Sequence, residues 1–165
     1  MHIARRKTRQ ISVGTVKVGG DAPVSVQSMC STDTRDVTAT VAEIHRLEAA
    51  GCEIIRVAVP DEEAAAVLPQ IKAAMTVPLI ADRHFDYRLA LKAAAVVDCV
   101  RINPGNIGAW WKVEEVIKAV NDHGIPIRVG VNGGSLERPL LEKYGWPSPE
   151  ALSESALNAV HALED

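Results

Sequence analysis

A chain of 165 residues with 47% apolar and 24% charged residues has the make-up of one soluble globular domain that can bury a sizeable core. Its net charge of −3 excludes a global field that would draw nucleic acid or an anionic membrane, and 4% aromatic residues leave little for a base-stacking surface. Three cysteines (Cys30, Cys52 and Cys99) without C-x-x-C spacing exclude a disulfide framework and a complete metal site, and fit reduced thiols in a cytoplasmic protein.

The N-terminus carries Arg5, Arg6 and Lys7 with no apolar run behind them, so no signal peptide is expected, and no segment reaches the length of a membrane span. Residues 9–18 alternate loosely around Gly14 and predict a short β-hairpin. Strand one is expected over Val24 to Met29, followed by the loop Cys30 to Arg35 and a helix capped by Asp36 and closed by Gly51, with Val37, Val41, Ile44 and Leu47 at helical spacing. Strand two is Glu53 to Val59. A helix from near Asp61 carries Ala65, Leu68 and Ile71, with Pro69 predicted to kink it. Strand three is Pro78 to Asp82, and the helix after Asp86 carries Leu89, Leu91 and an alanine run. Strand four is Cys99 to Asn103. Its helix runs from Ala109 to His123, with Val113, Val116, Ile117 and Val120 on one face and Gly124 as the stop. Strand five is Pro126 to Asn132. Two shorter helices follow, the second opening Ser148-Pro149-Glu150 with a stripe of Leu152, Ala156, Val160 and Leu163.

Strands alternating with helices at roughly 20 to 30 residues predict a parallel sheet. Two architectures fit: an open doubly wound sheet, or part of a TIM-like (β/α)8 barrel. No G-x-G-x-x-G follows the first strand, which counts against a dinucleotide-binding unit. Polar residues alternate into the strands near their C-terminal ends, where barrel sites collect. Alternation places Arg56, Arg101 with Asn103, and Arg128 with Asn132 on one face, and Ile55, Val57, Val100, Ile102, Ile127, Val129 and Val131 on the other. The expected architecture is therefore α/β: a partial barrel of five βα units behind a short hairpin.

Arginine cannot shed its proton, so three arginines converging on one interior need anions there. One reading is a clamp for a diphosphate, whose oxygens match the guanidinium fork. The other is barrel packing, each arginine paired with a carboxylate such as Glu53 or Asp82. Asp82 and His84 stand two apart at a strand end and suit hydroxyl recognition or acid–base work; otherwise they are loop residues, with Asp82 or Asp86 capping the next helix. Asn103-Pro104-Gly105-Asn106 reads as an anion nest or a plain βα turn, and Asn132-Gly133-Gly134-Ser135 as a second ligand-facing loop. His45 and His161 are expected in solvent, Trp110, Trp111 and Trp146 in outer packing, and Cys52 and Cys99 in the core.

Six collinear motifs go further. Val26-Gln-Ser-Met, Thr32-Asp-Thr-Arg-Asp-Val, Ala50-Gly-Cys-Glu-Ile-Ile-Arg-Val-Ala-Val-Pro, Ala81-Asp-Arg-His-Phe-Asp-Tyr-Arg, Val100-Arg-Ile-Asn-Pro-Gly-Asn-Ile-Gly and Arg128-Val-Gly-Val-Asn-Gly-Gly-Ser-Leu-Glu stand in that order. Together they resemble the 4-hydroxy-3-methylbut-2-enyl diphosphate synthase family of the methylerythritol phosphate route to isoprenoids, strongly from Thr8 to Glu137 and loosely beyond. The resemblance implies an oxidoreductase whose TIM-like barrel binds 2-C-methyl-D-erythritol 2,4-cyclodiphosphate. It implies a second domain with a 4Fe-4S cluster held by three cysteines and a glutamate, fed with electrons by flavodoxin or ferredoxin. It also implies that Arg56, Arg101 and Arg128 hold the diphosphate and that Asp82, His84, Asn103 and Asn132 line the pocket.

The chain departs from the family pattern at Arg83, where an apolar residue is usual, and at Trp110-Trp111. The later barrel strands with their phosphate-binding lysine and serine, and the cluster domain, have no counterpart in residues 1–165. The expectation is therefore the N-terminal portion of the substrate-binding barrel, redox-inactive by itself, with no metal ligand, no catalytic residue assigned and a homodimer as one possible assembly. The rivals are a pterin-binding synthase or aldolase, which would need a catalytic lysine at a strand end that none of the five strands offers, and a non-catalytic phosphate-binding or assembly module.

Overall fold

A hairpin of β1 (Ile11–Val13) and β2 (Val16–Val18) precedes a sheet of five parallel strands in this computed structural model, which describes residues 6–83 and 86–164. The sheet strands are β3 (Gln27–Met29), β4 (Ile54–Ala58), β5 (Leu79–Arg83), β6 (Cys99–Ile102) and β7 (Ile127–Val129). They lie side by side in chain order, β3-β4-β5-β6-β7. A doubly wound sheet reverses order at a switch point, and a barrel wall does not. The order therefore selects the barrel, and the five strands form an open stretch of its wall.

The paired segments are shorter than the predicted runs because pairing needs a neighbour. β3 and β7 each have one. Ahead of β3, the Glu53 side chain accepts from the Val26 N–H at 2.8 Å, where a strand would otherwise bond.

Helices α1 (Val37–Ala49), α2 (Glu62–Ala73), α3 (Tyr87–Ala94) and α5 (Trp110–Asp122) cover one face of the sheet, with the one-turn α4 (Pro104–Ile107) after β6. Asp36, Asp61 and Asp86 cap α1, α2 and α3 by accepting from Ala39, Ala64 and Arg88 N–H groups. Asp86, not Asp82, is thus the cap of the pair considered from sequence. Pro69 does not end α2, which runs on to Ala73. The expected tight turn after Asn103 is instead α4. His45 is surface-exposed, yet its Nε2 sits 2.8 Å from the Ala74 carbonyl and ties α1 to the end of α2.

α6 (Arg138–Tyr144) and α7 (Pro149–Glu164) close the chain. Sequence reading made both short, but α7 has 16 residues. Its most buried residues are Ala151, Ser155 and Ala159; of the expected stripe, Leu152 and Leu163 pack partly buried against the cores, and Val160 is left 38% exposed.

The main core lies between sheet and helices and contains Ile55, Val57, Leu79, Val100 and Ile102 with Ile44, Leu68, Ile71, Leu89, Val113 and Val116. A second, small cluster on the concave face joins Ile54, Ile80 and Cys99 to Val13, with Val16 and Val18 packed on it. The hairpin thus stoppers the bottom of the half-barrel.

At the rim, the β3–α1 loop is held by the Glu43 carboxylate, which accepts from the Ser31 N–H, the Ser31 hydroxyl and the Thr32 N–H at 3.0, 2.9 and 3.0 Å. Burial alone would raise the Glu43 pKa, but these hydrogen bonds outweigh it and hold it below the usual 4.5. A depressed folded pKa contributes stability that is fully present above the unfolded value and is lost as pH falls through the folded one. Glu43→Gln should therefore lower the urea midpoint at pH 7, and the gap from wild type should close as pH drops below 4.5. A gap that stayed constant with pH would refute this role.

Candidate functional site

Register builds the site. Arg128 pairs with Arg101, Arg101 with Asp82, and Asp82 with Ala58, two residues beyond Arg56. Residues in register on parallel strands share a face, so Asp82, Arg101 and Arg128 form one layer on the concave side, and Arg56, in register with Ile80, reaches it through Asp82. The apolar floor of Ile54, Ile80 and Cys99 lies on the same face, closer to the strand starts. The alternation read from sequence gave this face assignment for all three arginines.

Asp82 is the centre of the layer. Arg101 Nη1 donates to its Oδ1 at 3.0 Å, and Arg56 Nε stands 3.4 Å from its Oδ2. The Asp82 side chain is 3% exposed, that of Arg101 12% and that of Arg56 26%. Arg56 Nε also points to Met29 Sδ at 3.1 Å. Arg128 Nη1 donates to Gln27 Oε1, a neutral acceptor on the first strand of the sheet. Glu53, the other carboxylate weighed from sequence, serves the Val26 backbone.

On the β6 and β7 side, the Asn103 amide donates to Ser135 Oγ at 2.6 Å, and that hydroxyl lies 3.0 Å from Asn132 Oδ1. Asn103 is buried and Asn132 exposed. Ser135 belongs to a short 3-10 turn, Gly133–Ser135, so the two loops named from sequence meet here. His84 lies outside the described residues, as does the Arg83 side chain, although the Arg83 backbone is in register with Ile102.

The structure therefore brings Arg56, Asp82, Arg101 and Arg128 into one layer, with Asn103 and Asn132 joined through Ser135. The packing reading of the arginines is seen at two of the three. Asp82 pairs with Arg56 and Arg101 as packing would have it, while Arg128 rests on an amide. Three guanidinium charges face one carboxylate in this layer among the described residues. A half-wall leaves the layer open, so it forms a concave surface. The cavity of about 520 Å³ lined by Trp110, Ile117, Lys118, Asn121 and Leu163 lies instead on the helix side, where no such charges converge.

Sequence reading gave no role to Gln27 or Gly130, and named Ser135 only as the end of the Asn132–Ser135 loop. Gln27 and Met29 share strand parity, but nothing local pairs Gln27 with a residue 101 positions away. Gly130 matters by what it lacks. A Cβ there would collide with the Arg101 guanidinium. The missing side chain makes the space in which Arg101 lies.

Cys30, Cys52 and Cys99 are free and buried. Burial, aided by Glu43, pushes the Cys30 thiol up to about 11; burial also raises Cys99 to about 11, against the pull of Arg128. Cys52 Sγ lies 3.1 Å from the Ile54 carbonyl oxygen. Cluster and metal ligands are thiolates, and no group of three or more His, Cys, Asp or Glu among the described residues could hold a metal ion. These residues do not fit the iron–sulfur cluster that the family resemblance implies. Trp110, Trp111 and Trp146 are exposed, with Trp111 edge-on to Tyr87 at 5.4 Å between ring centroids.

The model of the GcpE TIM-barrel domain matches residues 8–165. The chain belongs to the GcpE TIM-barrel family. Curated relatives of this GcpE chain carry the name 4-hydroxy-3-methylbut-2-en-1-yl diphosphate synthase (flavodoxin). The one from Maridesulfovibrio salexigens is 60% identical over 163 residues, which is 98% of this chain and 46% of the relative. That from Pseudomonas savastanoi is 61% identical over 98% of this chain and 44% of the relative; that from Geobacillus thermodenitrificans is 57% identical over 99% and 44%. The GcpE chain thus spans less than half the length of these relatives. Among solved structures, dihydropteroate synthase from Stenotrophomonas maltophilia superposes with a TM-score of 0.61 at 16% identity, covering 95% of this chain and 60% of that one. The Yersinia pestis dihydropteroate synthase gives 0.60 at 11% identity, covering 93% and 58%. At such identity the likeness is one of barrel fold only.

Two outcomes are expected. Gly130→Ala should push the Arg101 guanidinium off Asp82, seen as a shift of the Arg101 Nε–Hε resonance with the helices intact; an unmoved resonance would contradict the packing described. In the folded protein at pH 8 all three thiols should react with a thiol reagent far more slowly than in guanidinium chloride, and one fast-reacting thiol would show that the cysteine environments are misread.

Proposed function

We propose that this chain is the N-terminal, substrate-binding part of the barrel of a 4-hydroxy-3-methylbut-2-enyl diphosphate synthase. The full enzyme would reductively convert 2-C-methyl-D-erythritol 2,4-cyclodiphosphate in the cytoplasm, with flavodoxin or ferredoxin as donor. The relatives' shared name supports the reaction and the flavodoxin donor. The observation that carries the assignment of this part is the layer on the open concave face in which, among the described residues, three guanidinium groups face one carboxylate.

In this reading Arg56, Arg101 and Arg128 hold the diphosphate as fork donors. Asp82 keeps two of them aimed without cancelling the layer's positive charge. Asn103 and Asn132, with Ser135, supply neutral donors and acceptors to the rest of the substrate, and His84 completes the lining. The redox chemistry is assigned to the portion of the relatives that this chain does not match, since the cysteines present do not suit a cluster. No helix among the described residues is long and apolar enough to cross a membrane.

The test uses inorganic pyrophosphate and calorimetry on this chain. Binding in the range of roughly 0.01–1 mM is expected, weakened at least about tenfold by Arg101→Ala or Arg128→Ala. The purified chain should contain neither iron nor acid-labile sulfide. No heat of binding at millimolar pyrophosphate would remove the anion site. Submicromolar affinity, or stoichiometric iron and sulfide, would show that residues 1–165 carry more of the machinery than assigned here.

A further inference from the structure

We propose that Gln27 is a positioning residue for Arg128, so that the first strand of the sheet aims the guanidinium carried by the last. This rests on the anion-site reading above. β3 and β7 are the two edges of the sheet, with three strands between them. Their backbones do not pair, yet Arg128 Nη1 donates to Gln27 Oε1 across the concave face, joining residues 101 apart in sequence.

The acceptor's chemistry fits the task. A free arginine side chain samples many rotamers, and a fixed acceptor reduces the freedom that remains to be lost when an anion arrives. A carboxylate would fix the guanidinium equally well but would neutralise it. The amide holds direction and leaves charge. Met29, two residues on and on the same face, offers Arg56 Nε–H a weaker neutral acceptor at 3.1 Å, while Asp82 supplies the counter-charge. The inward face of β3 therefore presents two uncharged acceptors, Gln27 and Met29, to two of the three arginines. The third, Arg101, is set by Asp82 and the space over Gly130. β7 has the greatest need of such a tether. β6 is its only strand partner, and all three of its residues are partly exposed.

The experiment compares wild type, Gln27→Met and Gln27→Glu in the 165-residue chain. Methionine keeps the length and exchanges the amide oxygen for a thioether, a far weaker acceptor; glutamate keeps the acceptor and adds a charge. Inorganic pyrophosphate affinity is read by calorimetry, and arginine side-chain order by the Nε–Hε resonances. Gln27→Met should weaken pyrophosphate binding about tenfold and move the Arg128 resonance toward its solvent-averaged position, while the Arg101 resonance stays put and reports an intact layer. Gln27→Glu should leave Arg128 ordered yet weaken pyrophosphate at least as much, with a shallower salt dependence. Affinity within twofold of wild type in Gln27→Met, with an unmoved Arg128 resonance, would overturn the proposal. Should wild type fail to bind pyrophosphate, the anion-site reading fails, and the Arg128 resonance in Gln27→Met still decides whether Gln27 aims it.

Discussion

One carboxylate between two guanidinium groups organises the interior. Asp82 is 3% exposed, and a buried carboxylate is costly unless charge and hydrogen bonds meet it on more than one side. Arg101 from β6 and Arg56 from β4 do so from either flank of β5. The same contact draws together side chains of like charge that would otherwise spread toward water. With Asp82 in place, a third arginine can join the layer.

The interior is thus sorted by height. Val13 from the hairpin seals an apolar floor of Ile54, Ile80 and Cys99, charged groups lie above it, and neutral amides and a hydroxyl continue toward the rim at Asn103, Asn132 and Ser135. The charged groups stand on strands, which fix their positions better than loops would. Dihydropteroate synthases share the barrel at 11–16% identity.

Much of this was legible because strand parity is local. An arginine at every second position after a β-branched residue can face only one way, so Arg56, Arg101 and Arg128 could be placed on one face from residue order alone. The cap at Asp36 was legible for the same reason, since it acts within three residues. What was not legible depends on register between distant segments. Asp82 could be suggested as a partner but not as the shared one, and Gln27 gave no sign of its distant contact. α7 shows a different limit. Its apolar stripe packs at both ends, through Leu152 and Leu163, but only the neighbouring surface makes Ala151, Ser155 and Ala159 its most buried residues.

Strand order also bears on how the sheet comes to exist. Each sheet strand pairs with the next one in the chain, so every loop closed during assembly is short, and sheet growth can follow the ribosome strand by strand. The Gln27–Arg128 bond departs from this order, since its partners emerge 101 residues apart. It therefore forms only once the wall between them has curved. The contact that aims the last guanidinium is also the one that registers when the curvature is complete.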